Sequence, residues 1–321
     1  MSPVTLYAPW TRPLGHLGLE AVVLGCCAVT LVHALRARRR GDPTPLVTWA
    51  TIFVYGLAME ILSYHFVKNF THAQFTVMFY DRQLPLYVTA VYPTLLYTGI
   101  ATARRFRLPR GAGAVLAGVL IVALDYPFDV LGPIAGWWSW SDSDPVIAVR
   151  WQGVPVTSYY WHLCFGGVLA ALTTSARRLW LAGPLALGTI AGGLLCFAPF
   201  HALSALGVAH GTIVGGTLVL AVLAVLRAGP RPTSSADPLL FAVPALFYAF
   251  HLAMAATFAP APELAAILCV TSFAAAVNVL AHGRGRMSAN DHDARPAKAE
   301  DPQTPVRRGD APVREEGVPG G

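Results

Sequence analysis

The chain has 321 residues, of which 55% are hydrophobic and only 12% charged, with a mean hydropathy of +0.52. That balance excludes an ordinary soluble globular domain and indicates a membrane protein. The formal net charge of +6 needs no nucleic-acid partner, because the arginines behind it recur in short loops, where they act as a topology signal and meet anionic lipid headgroups.

At the N-terminus no basic region precedes a short apolar stretch and a small-residue cleavage site, so no removable signal peptide is expected and the first span stays as an anchor. Apolar runs long enough to cross a hydrocarbon core of ~30 Å as helices occupy residues 17–35, 46–66, 84–102, 111–131, 156–175, 181–204, 208–226, 238–258 and 262–281. The expected fold is an all-α, polytopic transmembrane bundle of about nine helices, or eight. Residues 197–211, with Pro199 and several small residues, read either as one broken hairpin or as two helices.

Arginines orient the bundle. Arg36, Arg38, Arg39 and Arg40 follow the first span, and Arg104, Arg105, Arg107 and Arg110 lie between the third and fourth. Arg177 and Arg178, Arg227 and Arg231, and Arg284 and Arg286 follow the fifth, seventh and ninth. Every second loop is thus basic, which predicts an N-terminus outside and a C-terminus in the cytoplasm. Residues 1–286 are expected to form the transmembrane domain with an outer-side chamber. Residues 287–321, rich in Asp, Glu, Arg, Pro and Gly, are expected to be a disordered cytoplasmic tail. The expected location is a bacterial inner membrane, crossed many times. Cys26, Cys27, Cys164, Cys196 and Cys269 have no metal-ligand spacing and read as small hydrophobes.

Within the spans, Glu60, His65, Asp125, Asp129, His162, His201, His210 and His251 all fall toward the outer side. An acidic residue at a helix centre costs roughly 3 kcal/mol on insertion, so such groups are functional candidates, against the plainer reading of a Glu that hydrogen-bonds a neighbouring helix. Asp125 and Asp129, four apart, share one helix face. Two carboxylates so placed can share a proton or bind a cation, and Pro127 between them is expected to distort the helix. The following outer loop is dense in aromatics: Trp137, Trp138, Trp140 and Trp151, then Tyr159, Tyr160 and Trp161. Interfacial aromatic belts are ordinary, but the loop between the second and third spans is also aromatic and carries His72, Asp81 and Arg82 on the same side. Together the two loops read as a lid or pocket wall over the carboxylates.

The order of a Glu-bearing helix, a helix ending in ALDYPFDVLG, a GWWSW stretch and GVPVTSYYWH resembles the polytopic carotenoid-biosynthesis proteins that include the carotenoid hydratases. In that family a Glu-bearing helix precedes a helix ending in Asp and Asp-Pro, then a Gly-Tyr-Trp-x-Trp stretch and a Gly-Ile-Pro-x-x-Asn-Phe-x-Gly-Trp segment. Glu60, Asp125, Asp129, Trp138, Trp140, Gly153, Pro155, Tyr159 and Trp161 occupy the matching places, over about residues 50–170. The family's Asp-Pro is replaced by Asp129 with Pro133 further on, its Asn by Ser158 or Thr157, and its Gly-rich, Tyr-bearing stretch by HFVKNFTHAQF. The resemblance implies a scaffold and an acid site, and leaves the substrate open.

Residue chemistry points the same way. A buried carboxylic acid can protonate an electron-rich alkene, and aromatic faces stabilise the carbocation that forms. Quenching by water gives a hydratase, a lyase; quenching by an internal alkene gives an isoprenoid cyclase. The expected proton donor is Asp125, with Asp129 or Glu60 tuning it or positioning water. Trp138, Trp140 and Tyr159 form the expected cage, and Tyr160, Trp161, His65 and His162 further substrate contacts. No cofactor is required, and the partner is a lipid or isoprenoid entering from the bilayer. A second reading takes His65, His162, His201, His210 and His251, with Asp125 or Asp129, as ligands of a zinc ion in a hydrolase resembling the alkaline ceramidases, although no HxxxH or HExxH motif is present. A third is a transporter or lipid-binding protein, which the one-sided polar cluster and the lack of two similar halves disfavour.

Overall fold

Backbone in hydrocarbon must satisfy its own hydrogen bonds, and a helix does so within one segment. Each of the nine apolar runs accordingly corresponds to a helix in the computed structural model of the chain, which describes residues 3–141, 145–233 and 236–282. The helices are α1 (Leu14–Arg39), α2 (Thr44–Val67), α3 (residues 86–103), α4 (Arg110–Ile134), α5 (Val156–Thr173), α6 (Leu179–Ala205), α7 (His210–Arg227), α8 (Pro238–Phe258) and α9 (Ala261–His282). Seven of them, all but α3 and α5, are long and apolar enough to cross a membrane. The other two are diluted by Thr, Tyr, Trp and His side chains, among them Tyr92, Tyr97, Tyr160, Trp161 and His162.

Residues 197–211 hold the end of one helix, a turn and the start of the next. Phe197 interrupts α6 between Ala182–Cys196 and Ala198–Ala205, Pro199 opens the second piece, and a turn through Gly207 at φ +83° leads into α7. Pro127, expected to distort its helix, leaves α4 unbroken. The carbonyl that loses its N–H partner to Pro127 is that of Ala123, four residues earlier. Tyr248 Oη of α8 donates to that oxygen at 3.3 Å, so a neighbouring helix satisfies the freed group.

α4 is buried along most of its length, and its most extensive partner is α5. The two backbones approach at Gly118, where a Cβ would lie 2.4 Å from the Leu163 carbonyl oxygen. Small residues permit this closeness between membrane helices. The π-helical segments Ser63–Val67 at the end of α2 and Pro93–Tyr97 inside α3 widen the helix beside the site, a common place for such bulges.

Among the described residues nine short strands tie the loops: β1 (Val4–Leu6), β2 (Phe70–His72), β3 (Val77–Phe79), β4 (Leu84–Pro85), β5 (Phe106–Arg107), β6 (Trp138–Trp140), β7 (Arg150–Trp151), β8 (Val154–Pro155) and β9 (Arg231–Pro232). At one end β1, β3 and β4 form a small antiparallel sheet, β7 and β8 a hairpin, and β2 pairs with β6 so that His72 faces Trp138 and Phe70 faces Trp140. At the other end β5 pairs with β9, joining two of the arginine loops. Arg284, Arg286 and the tail expected over 287–321 lie outside the described residues.

Candidate active site

A cavity of about 370 Å³ lies among α2, α3, α4, α5 and α6, roofed by β2 and β6. Two polar centres face it, and the rest of its wall is largely apolar.

The first centre follows from helical spacing. On α4, Asp125 and Asp129 stand one turn apart, 2% and 5% exposed. On α5, Ser158 and His162 stand one turn apart in the same way. Ser158 Oγ donates to Asp129 Oδ2 at 2.6 Å. His162 Nδ1 donates to the Ser158 carbonyl at 2.9 Å, which fixes the proton on Nδ1 and leaves Nε2 as the ring's acceptor. The same Nδ1 is 3.4 Å from Asp125 Oδ2, a buried oxygen with no hydrogen-bond partner among the described residues. One donor atom each of Asp125, Asp129 and His162 fits within 4.8 Å of the others, a set able to hold a metal ion.

The second centre joins a helix, a loop strand and a second helix. Tyr92 Oη of α3 donates to Glu60 Oε1 at 2.7 Å. Glu60 Oε2 lies 3.6 Å from His72 Nε2, and Tyr87 Oη is 3.4 Å from His72 Nδ1. The loop is held over Glu60 by local chemistry: Lys68 turns the chain at φ 52°, Ser63 Oγ donates to Asn69 Oδ1 at 2.6 Å, and the Ser141 N–H donates to the Asn69 carbonyl at 2.7 Å.

Aromatic rings make up much of the wall. Trp138 lies against Phe128 at 4.5 Å between centroids, and Trp161 stacks on Phe165 at 3.9 Å. The Trp138 indole fits only because residue 132 is glycine: a Cβ there would sit 2.0 Å from the ring. Three lining residues, Val67, Leu194 and His201, are exposed. The cavity therefore opens sideways, between the end of α2 and the kink of α6.

Of the residues singled out from sequence, Glu60, Asp125, Asp129, Trp138, Trp140, Trp161, His162 and His201 line the cavity. Glu60 pairs with Tyr92 and His72 rather than with the aspartates. Tyr159 and Tyr160 do not line it: Tyr159 stacks on Tyr126 at 5.7 Å, and Tyr160 packs between Phe197 and Phe200 and donates to the Cys196 carbonyl at 2.9 Å. Helical rotation is the reason, because facing Ser158 and His162 inward turns their neighbours aside. His65 is exposed at the π segment, where it meets Tyr80 Oη. The five-histidine metal cluster is not assembled. His210 bonds Ser204 at 2.9 Å, and His251 is packed among Phe247, Trp137 and Phe128. Only His162 and His201 of that set reach the cavity. His72, Tyr92 and Ser158 take larger parts than sequence assigned them. Spacing on α5 pointed to Ser158 beside His162; for His72 the signal lies in strand pairing across 66 residues, from 72 to 138.

A family model described as a domain of unknown function, DUF7802, matches residues 15–213. The chain belongs to that family. The matched span holds every cavity residue, from Met59 to His201, whereas α8 and α9 lie beyond it. No curated protein and no solved structure matches the chain. The DUF7802 match carries no link to carotenoid synthesis.

Proposed function

We propose that this DUF7802 protein is a membrane-embedded enzyme that protonates an alkene of an isoprenoid or carotenoid-like lipid and directs the carbocation to hydration or cyclisation. The observation that carries the reading is the buried pair Asp125 and Asp129, held by Ser158 and His162 against an aromatic-walled cavity. Two like charges in so apolar a place repel, and one shared proton relieves them while providing a donor. Trp138, Trp140 and Trp161 offer π faces to the cation. The sideways mouth at Val67, Leu194 and His201 suits a substrate arriving from lipid. With the arginine loops in the cytoplasm all nine helices cross, the N-terminus is outside, and the cavity sits in the outer half of a bacterial inner membrane. No cofactor takes part.

The test is mass spectrometry of lipids from a carotenoid-producing host with and without the protein. A product heavier by one water identifies hydration, and an isomer of unchanged mass identifies cyclisation. An unaltered lipid profile in every such host refutes the reading.

A second reading rests on one observation, the fit of Asp125, Asp129 and His162 around a common point. A divalent ion there would offset both carboxylates, with His162 as the third ligand. Such an ion would supply an activated water for hydrolysis of an amide or ester lipid. Stoichiometric metal in the purified protein and loss of activity with chelator would establish this reading over the first; a metal-free active protein eliminates it.

A further inference from the structure

The Glu60 centre differs from the aspartate centre in composition and in element. Glu60 is 4% exposed, its Oε1 is fixed by Tyr92, and its Oε2 has no hydrogen-bond partner among the described residues. Facing Oε2 at 3.6 Å is His72 Nε2, also buried and also without a partner. That separation is too long for a direct hydrogen bond, and both atoms belong to residues lining the cavity. Leaving two buried polar atoms unpaired is costly. A single small hydroxylic molecule reaching both would satisfy them, as bridging waters do. Tyr87 Oη beside His72 Nδ1 favours the tautomer with its proton on Nε2, which gives that molecule a donor on one side and a carboxylate acceptor on the other.

We infer that Glu60 and His72 form a second proton-transfer centre that holds a water, with Glu60 as the base that takes its proton and His72 and Tyr92 as positioning residues. The inference rests on Asp125 and Asp129 being the proton donor, and it selects hydration over cyclisation. In the step, the alkene π pair forms a C–H bond with the aspartate proton, leaving a cationic carbon. A lone pair of the water forms the C–O bond, and the O–H pair stays on oxygen as its proton passes to the Glu60 carboxylate. Glu60 returns that proton to solvent and the aspartate pair regains one, so the sum is addition of one water across one double bond. Separate donor and acceptor keep the acid from simply taking its proton back.

The experiment uses the full chain in lipid nanodiscs, with lycopene, an acyclic isoprenoid with terminal trisubstituted alkenes, in D₂O. Two products are followed: deuterated alcohol, and deuterium entering recovered lycopene by protonation and its reversal. In Glu60→Gln, alcohol formation is expected to fall by about 100-fold or more while deuterium entry persists. In His72→Gln the ratio of alcohol to exchange is expected to fall by roughly tenfold, which a merely structural loss, lowering both together, would not produce. Alcohol at the wild-type rate in Glu60→Gln, or an unchanged ratio in both variants, overturns the inference and leaves the aspartate donor standing. Absence of deuterium from both lycopene and alcohol in the wild type, or wild-type incorporation into the two together in Asp125→Asn, overturns the donor assignment itself.

Discussion

Replacing Asp125 with Asn changes one property of the site and leaves its shape. Asp125 is 2% exposed, its Oδ2 has no hydrogen-bond partner among the described residues, and the imidazole nitrogen His162 Nδ1 is 3.4 Å away and already bonded to the Ser158 carbonyl. An amide at that position breaks no hydrogen bond at Oδ2 and can donate to the neighbouring Asp129, so the thermal midpoint should change little. On the proposed function, what is lost is the proton that the pair gives to an alkene. A positioned general acid contributes about 10²–10⁴ in rate, or about 3–5 kcal/mol of barrier. Initial rates in nanodiscs, beside the thermal midpoint of the same preparations, separate the two effects. A rate fall of that size with an unshifted midpoint supports the assignment. A wild-type rate in Asp125→Asn refutes it, and a rate lost only together with the fold would show that Asp125 serves packing.

Three further outcomes follow from the geometry. Ser158→Ala removes the 2.6 Å donor to Asp129 and should slow turnover about tenfold, the equivalent of about 1.5 kcal/mol for a hydrogen bond to a charged group; unchanged turnover would mean the bond does not orient Asp129. Gly118→Ala brings a Cβ to 2.4 Å from a backbone carbonyl that cannot turn away, so stability should fall by about 1–3 kcal/mol and activity with it. Gly183→Ala, where nothing lies within 4 Å, serves as the control, measured as thermal midpoints. Asp237 caps α8 through the Leu240 N–H at 3.1 Å and bonds His33 Nε2 at 2.9 Å, and these contacts hold its carboxyl below the usual range, the His33 bond most of all. A depressed carboxyl stabilises fully above its ordinary value of about 3.9 and loses that stabilisation as pH falls through its lower folded value. Asp237→Asn keeps an N-cap but loses the charged partner of His33, so it should be less stable than wild type at pH 7 by about 1 kcal/mol, and the gap should close only in strong acid; a gap that widens toward low pH would reverse the sign and refute this.

The helices were legible because their signal is local. Runs of about twenty apolar residues specify helix in lipid whatever surrounds them, and the starts and ends read from sequence fall within a few residues of α1 to α9. The pairing of Asp125 with Asp129 was legible for the same reason, since four-residue spacing places both on one face of any helix. Even the kink of α6 was marked by Pro199. Tyr159 was misplaced because an aromatic run, TSYYW, offers several faces and the sequence does not say which one turns inward.

Composition and periodicity by themselves therefore determined a helical chain with carboxylates inside apolar helices and arginines in alternate loops. Tertiary structure alone decided what those carboxylates meet. The rotation of α5 is set by its close contact with α4 at Gly118, and it turns Ser158 and His162 toward the aspartates and Tyr159 away. The pairing of β2 with β6 carries His72 from a loop to Glu60 and sets Trp138 over the cavity. Such contacts join residues dozens of positions apart, and they depend on helix rotation and strand register, which are properties of packed pairs of segments that no single segment encodes.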